Sequence, residues 1–326
     1  MTPLAAVLAL AAALGAASGA PAATPSDPDT RAAATEARMT DAERFQLLHG
    51  DMAIPAPPPG VPITAGLVRG VPRLGVPDLI ETDASLGVVN PLQMRRGDVA
   101  TAMPSGLALA ATFNPRLAFE AGAVIGAEAR AKGFNVLLGG GVDLARDPRN
   151  GRNFEYLGED PLLAGVMAGR AVEGTQSQGV ISTVKHYALN DQETLRDSLD
   201  ARIAEPGLRE SDLLAFQIAI ETGRPGAVMC GYNRVNGDFA CGSDFLLNQV
   251  LKADWGYRGW VMSDWGAVHD VGYFARGLDQ ESAAALDRQV WFGAPLAAEV
   301  EAGRVSKARV SDAVRRILRS IYAVGA

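Results

Sequence analysis

From about Arg73 onward the chain repeats one pattern: a short apolar run, a polar loop, then a longer segment with apolar positions at helical spacing. The runs predict strands ending near Ile80–Asp83, Ala108–Thr112, Phe134–Leu138, Val180–Lys185, Ala227–Tyr232 and Trp260–Asp264. Strands buried on both faces read as continuous apolar runs rather than as alternation. Helices are predicted at Pro115–Lys132 and Pro161–Thr175, each opened by proline, at Leu208–Thr222, at Ser243–Ala253 with serine as cap, and at Ser306–Tyr322. Alternation sustained over so long a stretch implies a parallel sheet with crossover helices, which either a (β/α)8 barrel or a doubly wound sheet satisfies. No GxGxxG or GxxxxGKS/T follows a strand, which removes the usual nucleotide-binding reasons for an open sheet. The expectation is therefore an α/β fold of the (β/α)8 TIM-like barrel type. Six strands are clear and a seventh, near Gly277–Gln280, is faint, so the barrel is expected to be incomplete or distorted.

Composition narrows the picture. With 326 residues, 48% of them hydrophobic, the chain can bury one large core. A net charge of -7 and the lack of any dense Lys/Arg tract argue against nucleic acid or an anionic membrane as partner. Three histidines and two cysteines, without CxxC or HExxH, suggest no metal site, and no cofactor is expected. Cys230 and Cys241 are bridged or free according to compartment. On that point the N-terminus speaks: Leu4–Ala17 is a continuous Ala/Leu-rich run followed by small residues at cleavage-site spacing, so residues 1–23 are expected to be an export signal and the protein periplasmic or secreted. No Lys or Arg precedes the run, which leaves an Ala-rich leader as the alternative, and the run is too short for a membrane span. Residues 24–40 are expected as linker, polar and small-residue rich over Thr24–Ala37, and residues 41–326 as the barrel domain.

Chemistry is expected where strands end. In Gly259-Trp260-Val261-Met262-Ser263-Asp264-Trp265 an apolar run stops abruptly at a carboxylate, which parallel α/β folds hold in the cleft at the strand's C-terminal tip. Other tips carry Asp83, then Arg149 and Arg152, Lys185 with His186, and Met229 with Tyr232. In a closed barrel these converge, and the set suits a small, neutral, hydroxyl-rich ligand, with Trp265 offering a flat face to a sugar ring. Each residue has a plainer reading. Asp264 could cap a helix, Arg149 and Arg152 could pair with Glu155, Glu159 or Asp160, Lys185 could be a solvated charge, and His186 a satisfied core residue.

Four stretches carry a resemblance: Asp147-Pro-Arg-Asn-Gly-Arg-Asn-Phe-Glu-Tyr-Leu-Gly-Glu-Asp-Pro161, Lys185-His-Tyr-Ala-Leu-Asn-Asp-Gln-Glu-Thr194, Gly231-Tyr-Asn-Arg-Val-Asn-Gly237 and Val261-Met-Ser-Asp-Trp-Gly266. In order and wording they resemble the signatures of family 3 glycoside hydrolases of the β-glucosidase type, from about Asp41 to the C-terminus. The resemblance implies a retaining β-glycoside hydrolase acting on the nonreducing-end sugar of a β-glycoside or oligosaccharide. Asp264 would be the nucleophile, with Asp83, Arg152, Lys185, His186, Arg196, Met229, Tyr232 and Trp265 lining the sugar pocket. Lys185, Arg152 and Arg196 would keep Asp264 charged.

The sequence departs from the family at Asp83-Ala-Ser-Leu-Gly87, where Asp-Gly-Pro is usual, and near Gly277–Ser282, where a Met-Pro ending is lost. The family's general acid is a glutamate on a second α/β domain, or in single-domain hexosaminidases a histidine on the loop after Lys-His. Ala188–Arg196 holds no histidine, only the acids Asp191 and Glu193, with Asp197 just beyond. A truncated or split enzyme, its acid supplied by a separate domain or chain, is therefore expected. The alternatives are a non-catalytic sugar-binding barrel and a Schiff-base lyase using Lys185.

Overall fold

The structure, a computed structural model, describes residues 27–326, and the expected export signal at residues 1–23 lies outside the described residues. Its main sheet begins with β1 (Asp51–Ala53), β2 (Thr64–Val68), β3 (Leu79–Asp83), β4 (Val136–Leu138) and β5 (Ile181–Tyr187). A small second sheet follows, made of β6 (Asp200–Ala201), β8 (Arg234–Val235) and β9 (Asp238–Phe239). The main sheet continues through β7 (Ala227–Cys230) and β10 (Trp260–Met262). From β3 to β10 its neighbours run parallel, whereas β2 runs antiparallel to both β1 and β3.

The sheet closes on itself through a segment too irregular to be a regular strand. Met262 bridges to Gln280 and His49 to Glu281, both in parallel sense. The N–H groups of Asp279 and Gln280 donate to the Val261 carbonyl at 2.9 and 3.0 Å, and Gly50 N–H donates to the Glu281 carbonyl at 2.9 Å. The faint strand near Gly277–Gln280 is thus the closing position, and the barrel is distorted by one inverted strand rather than open. Asp279 holds this seam. Its fully buried carboxylate accepts from Val261 N–H at 2.8 Å and from Lys252 and Arg309, each at 2.7 Å.

The helices are α1 (Pro28–Glu36), α2 (Asp41–Leu47), α3 (Gly106–Ala110), α4 (Pro115–Ala131), α5 (Pro161–Gln176), α6 (Glu205–Glu210), α7 (Asp212–Gly223), α8 (Ala294–Glu301) and α9 (Lys307–Val324). Asn114 and Asp160 cap α4 and α5 ahead of their prolines, as the sequence signals. Three expectations need correction. Ala108–Thr112 is helical, not a strand: Ser105 accepts from Ala108 N–H and starts α3, and so short an apolar run does not distinguish the two states. Leu208–Thr222 breaks at Ser211 into α6 and α7. The stretch expected as linker contains α1, capped by Asp27, whose buried Ala32 and Glu36 pack against α9. Its small polar composition hid a helix that tertiary contacts hold in place.

Two details position the site. Parallel β3, β5, β7 and β10 bring their C-terminal ends to one rim. Helices α4 and α5 approach so closely that a Cβ added at Gly122 would collide with the Ala171 carbonyl. Cys230 and Cys241 form a disulfide, tying the end of β7 to the turn before Phe245–Asp254, a helix wound in π fashion.

Candidate active site

At the rim, Asp264 follows β10 with a buried carboxylate whose Oδ2 has no hydrogen-bond partner. The imidazole Nε2 of His186, near the end of β5, lies 3.7 Å from that oxygen. The adjoining Lys185 is buried, with its ammonium 3.6 Å from Asp83 at the tip of β3 and 3.7 Å from Glu155. Glu155 accepts from Ser85 Oγ at 2.7 Å and from Arg152 Nε at 2.5 Å. Glu193 accepts from Arg196 at 2.8 Å and faces Arg152 at 3.9 Å, and the Arg196 guanidinium lies 4.2 Å over the Tyr232 ring. One connected chain of charge thus runs from Asp83 through Lys185, Glu155, Arg152 and Glu193 to Arg196. Met229 and Trp265 belong to the same rim without joining that chain. Met229 is buried beside Met262, its register partner, and Trp265 donates its indole N–H to the Ala65 carbonyl at 3.1 Å, which anchors it to inverted β2.

Electrostatics are set by burial first. Loss of solvent pushes the Asp264 carboxyl up to about 6, although Lys185, the Tyr232 hydroxyl, Arg152 and Arg196 all pull it down. The cations expected to keep it charged are present, but they only partly offset burial. For Glu155 the balance tips the other way: burial raises it, yet Lys185, Arg152 and Ser85 together hold it below the ordinary carboxylate range. Burial, reinforced by Arg152, Lys185 and Arg196, drives His186 well below its usual value, so its imidazole is neutral. Burial likewise lifts Tyr232, with Asp264 adding to the effect.

Sequence reading had no place in the site for Asp143, and met Glu155 only as a salt-bridge partner. Glu155 is such a partner to Arg152, and it also faces Lys185. Asp143 follows β4 and is fully buried beneath His186. The rule that found the other residues, a polar side chain just past a strand, would have found it. Arg149, by contrast, points to solvent and pairs with Asp147 at 2.9 Å. Each loop acid considered as a proton donor has an arginine neighbour, Asp191 with Arg146 at 3.2 Å, Glu193 with Arg196 at 2.8 Å, and exposed Asp197 with Arg196 at 3.9 Å, but burial still pushes the Asp191 carboxyl up to about 6 and Glu193 Oε1 has no hydrogen-bond partner. Among the described residues no cluster of three metal-binding side chains occurs, and no helix is long and apolar enough to cross a membrane.

Fold and site together define a class: a (β/α)8-type barrel domain with a polar pocket at its strand C-termini and a buried carboxylate at its centre. Glycosyl hydrolase family 3 is the family to which the chain belongs, its N-terminal domain profile matching residues 67–320. The chain is 39% identical over 272 residues to beta-glucosidase BoGH3A of Bacteroides ovatus, and 38% identical over 268 residues to thermostable beta-glucosidase B of Acetivibrio thermocellus. These alignments cover 78% of this chain but 36% and 34% of the relatives, so the chain spans about a third of their length. Beta-glucosidase 3B from Thermotoga neapolitana, solved in complex with glucose, superposes with a TM-score of 0.82 at 35% identity, covering 88% of this chain and 42% of that one.

Proposed function

We propose that this chain is the nucleophile-bearing, sugar-binding barrel of a retaining β-glycoside hydrolase, β-glucosidase-like and acting at the nonreducing-end sugar. The observation that carries the reading is the unpartnered, buried Oδ2 of Asp264 at the tip of β10, beside His186 and the chain of charged side chains. In this reading Asp264 attacks the anomeric carbon, the bond to the leaving oxygen breaks, and a covalent glycosyl ester forms before water releases the sugar. Asp83, Lys185, His186 and Arg152 grip the sugar hydroxyls, and a site built on such pairs rejects sugars that leave a partner unmatched. In this reading the proton for the leaving oxygen is supplied by a separate α/β domain or chain, as in the family the sequence resembles.

Protonation matters most for poor leaving groups. The chain alone is therefore expected to turn over activated aryl β-glucosides, leave disaccharides almost untouched, and be accelerated by azide. The test is a 2-deoxy-2-fluoro aryl β-glucoside followed by peptide mass mapping, with Asp264→Asn as control. A label on Asp264 supports the reading, and a label elsewhere overturns it. No label with sugar binding intact would favour the second reading, a non-catalytic sugar-binding barrel. Export is part of the same proposal: Leu4–Ala17 has signal character, and the Cys230–Cys241 disulfide suits an oxidising compartment.

A further inference from the structure

Behind the pocket His186 joins two carboxylates. Its Nδ1 lies 3.1 Å from Asp143 Oδ2 and its Nε2 lies 3.7 Å from Asp264 Oδ2. Asp143 is fixed independently of the ring: its Oδ2 also accepts His186 N–H at 2.8 Å, and its Oδ1 accepts Asn190 N–H at 3.1 Å. Both Asp143 and His186 are almost completely buried, and the Tyr156 ring meets the imidazole edge-on with centroids 6.4 Å apart. Burial pushes the Asp143 carboxyl well up, but both of its oxygens accept backbone N–H groups, which favours the ionised, accept-only form; Nδ1 then carries the imidazole hydrogen and Nε2 presents a lone pair towards Asp264.

We propose that Asp143 is a positioning residue of the catalytic centre: it fixes His186 as the Nδ1–H tautomer, so that Nε2 accepts from a sugar hydroxyl and gives no hydrogen bond to the nucleophile. The reverse tautomer would aim a donor at Asp264 Oδ2, favour the carboxylate and blunt its attack. The proposal rests on Asp264 being the nucleophile. Other charges face these groups from neighbouring elements. Lys185, Arg152, Arg196 and Tyr232 act on Asp264, the same three cations act on His186, and Asp191 and Arg152 act on Asp143.

Asp143→Ala tests it, because without the Asp143 acceptor the acceptor left beside the ring is Asp264 Oδ2, which draws the imidazole hydrogen to Nε2. The protein contains three histidines, so the ¹⁵N spectrum of the labelled chain is simple enough to assign His186 by substitution. Expected for the unaltered chain is a protonated Nδ1 and a bare Nε2, with the two exchanged in Asp143→Ala. On an activated aryl β-glucoside the variant should lose about 100-fold in kcat, the scale of a misplaced catalytic contact. The acid limb of its pH profile should also move to lower pH, because a new donor stabilises the Asp264 carboxylate. A purely structural Asp143 would lower the folded fraction and leave that limb in place. A protonated Nε2 or an imidazolium in the unaltered chain overturns the proposal even if the variant does not fold, and so does an unmoved limb in a folded variant. A chain inactive on every glucoside would count against the functional reading alone, since the ¹⁵N pattern still decides the tautomer.

Discussion

At the scale of single residues, Asp264 shows how burial and neighbouring charge compete. Raising its carboxyl from an ordinary 3.8 to about 6 makes ionising it inside the fold cost about 3 kcal/mol. Below pH 4 both folded and unfolded chains hold the proton and the cost is absent. As pH rises from 4 to 6 the unfolded chain ionises first, so the cost grows and then persists. Asp264→Asn should therefore unfold at higher urea at pH 7, by up to about 3 kcal/mol, with no gain at pH 3. Turnover of an aryl glucoside by the unaltered chain should rise through pH 6. Arg152→Gln, which removes one of the charges opposing burial, should push that rise to higher pH. A stability gain undiminished at pH 3 would show that packing, not ionisation, sets the effect.

Among the elements, the closing seam is held by buried charged side chains as well as by backbone hydrogen bonds. Burial pushes Asp279 up, but Lys252, Arg309 and Arg316 outweigh it and hold the carboxyl at about 2. Its partner Lys252 is itself pushed down to about 8 by burial, which one carboxylate only partly offsets. Asp279 is the better guide at acid pH, where it titrates and Lys252 stays protonated. Its folded value lies below the unfolded one, so about 2 kcal/mol of stability is present above pH 4 and lost as pH falls towards 2. Asp279→Asn leaves Lys252 and Arg309 without a buried counter-charge, and should cost about 3–5 kcal/mol at neutral pH. Urea titrations at pH 7 and pH 3 check both statements: the gap between parent and variant should be wide at pH 7 and narrower at pH 3. Equal gaps would place Asp279's effect in shape alone. Glu36 does for α1 what Asp279 does for the seam, accepting from Arg44 at 2.6 Å, and from Ser311 and Arg315 of α9, each at 2.9 Å. That triple contact makes an ordered helix of a stretch whose composition reads as linker.

For the whole molecule, the export proposal is settled by mass. Native expression should yield a chain beginning near Pro21–Thr24 outside the cytosol, and a full-length chain kept in the cytosol would overturn it. At this scale too the division between sequence and structure is clearest. The apolar runs and capped helices determined the alternation of strands and helices, because burial on both faces and helix capping are local demands that leave local marks. The strand-tip rule determined Asp83, Lys185, His186, Tyr232 and Asp264 as candidates, since rigid strand ends followed by loops are readable without coordinates. Tertiary structure alone decided the inversion of β2, the irregular closing segment and the docking of α1. Each depends on partners distant in sequence: β2 on two neighbouring strands, the seam on Lys252 and Arg309, and α1 on Arg315 and Ser311. It alone also decided that Asp264 sits near 6 rather than below 4, because a charge's neighbours can be guessed from motifs, whereas the solvent it loses is known only once the chain has closed around it.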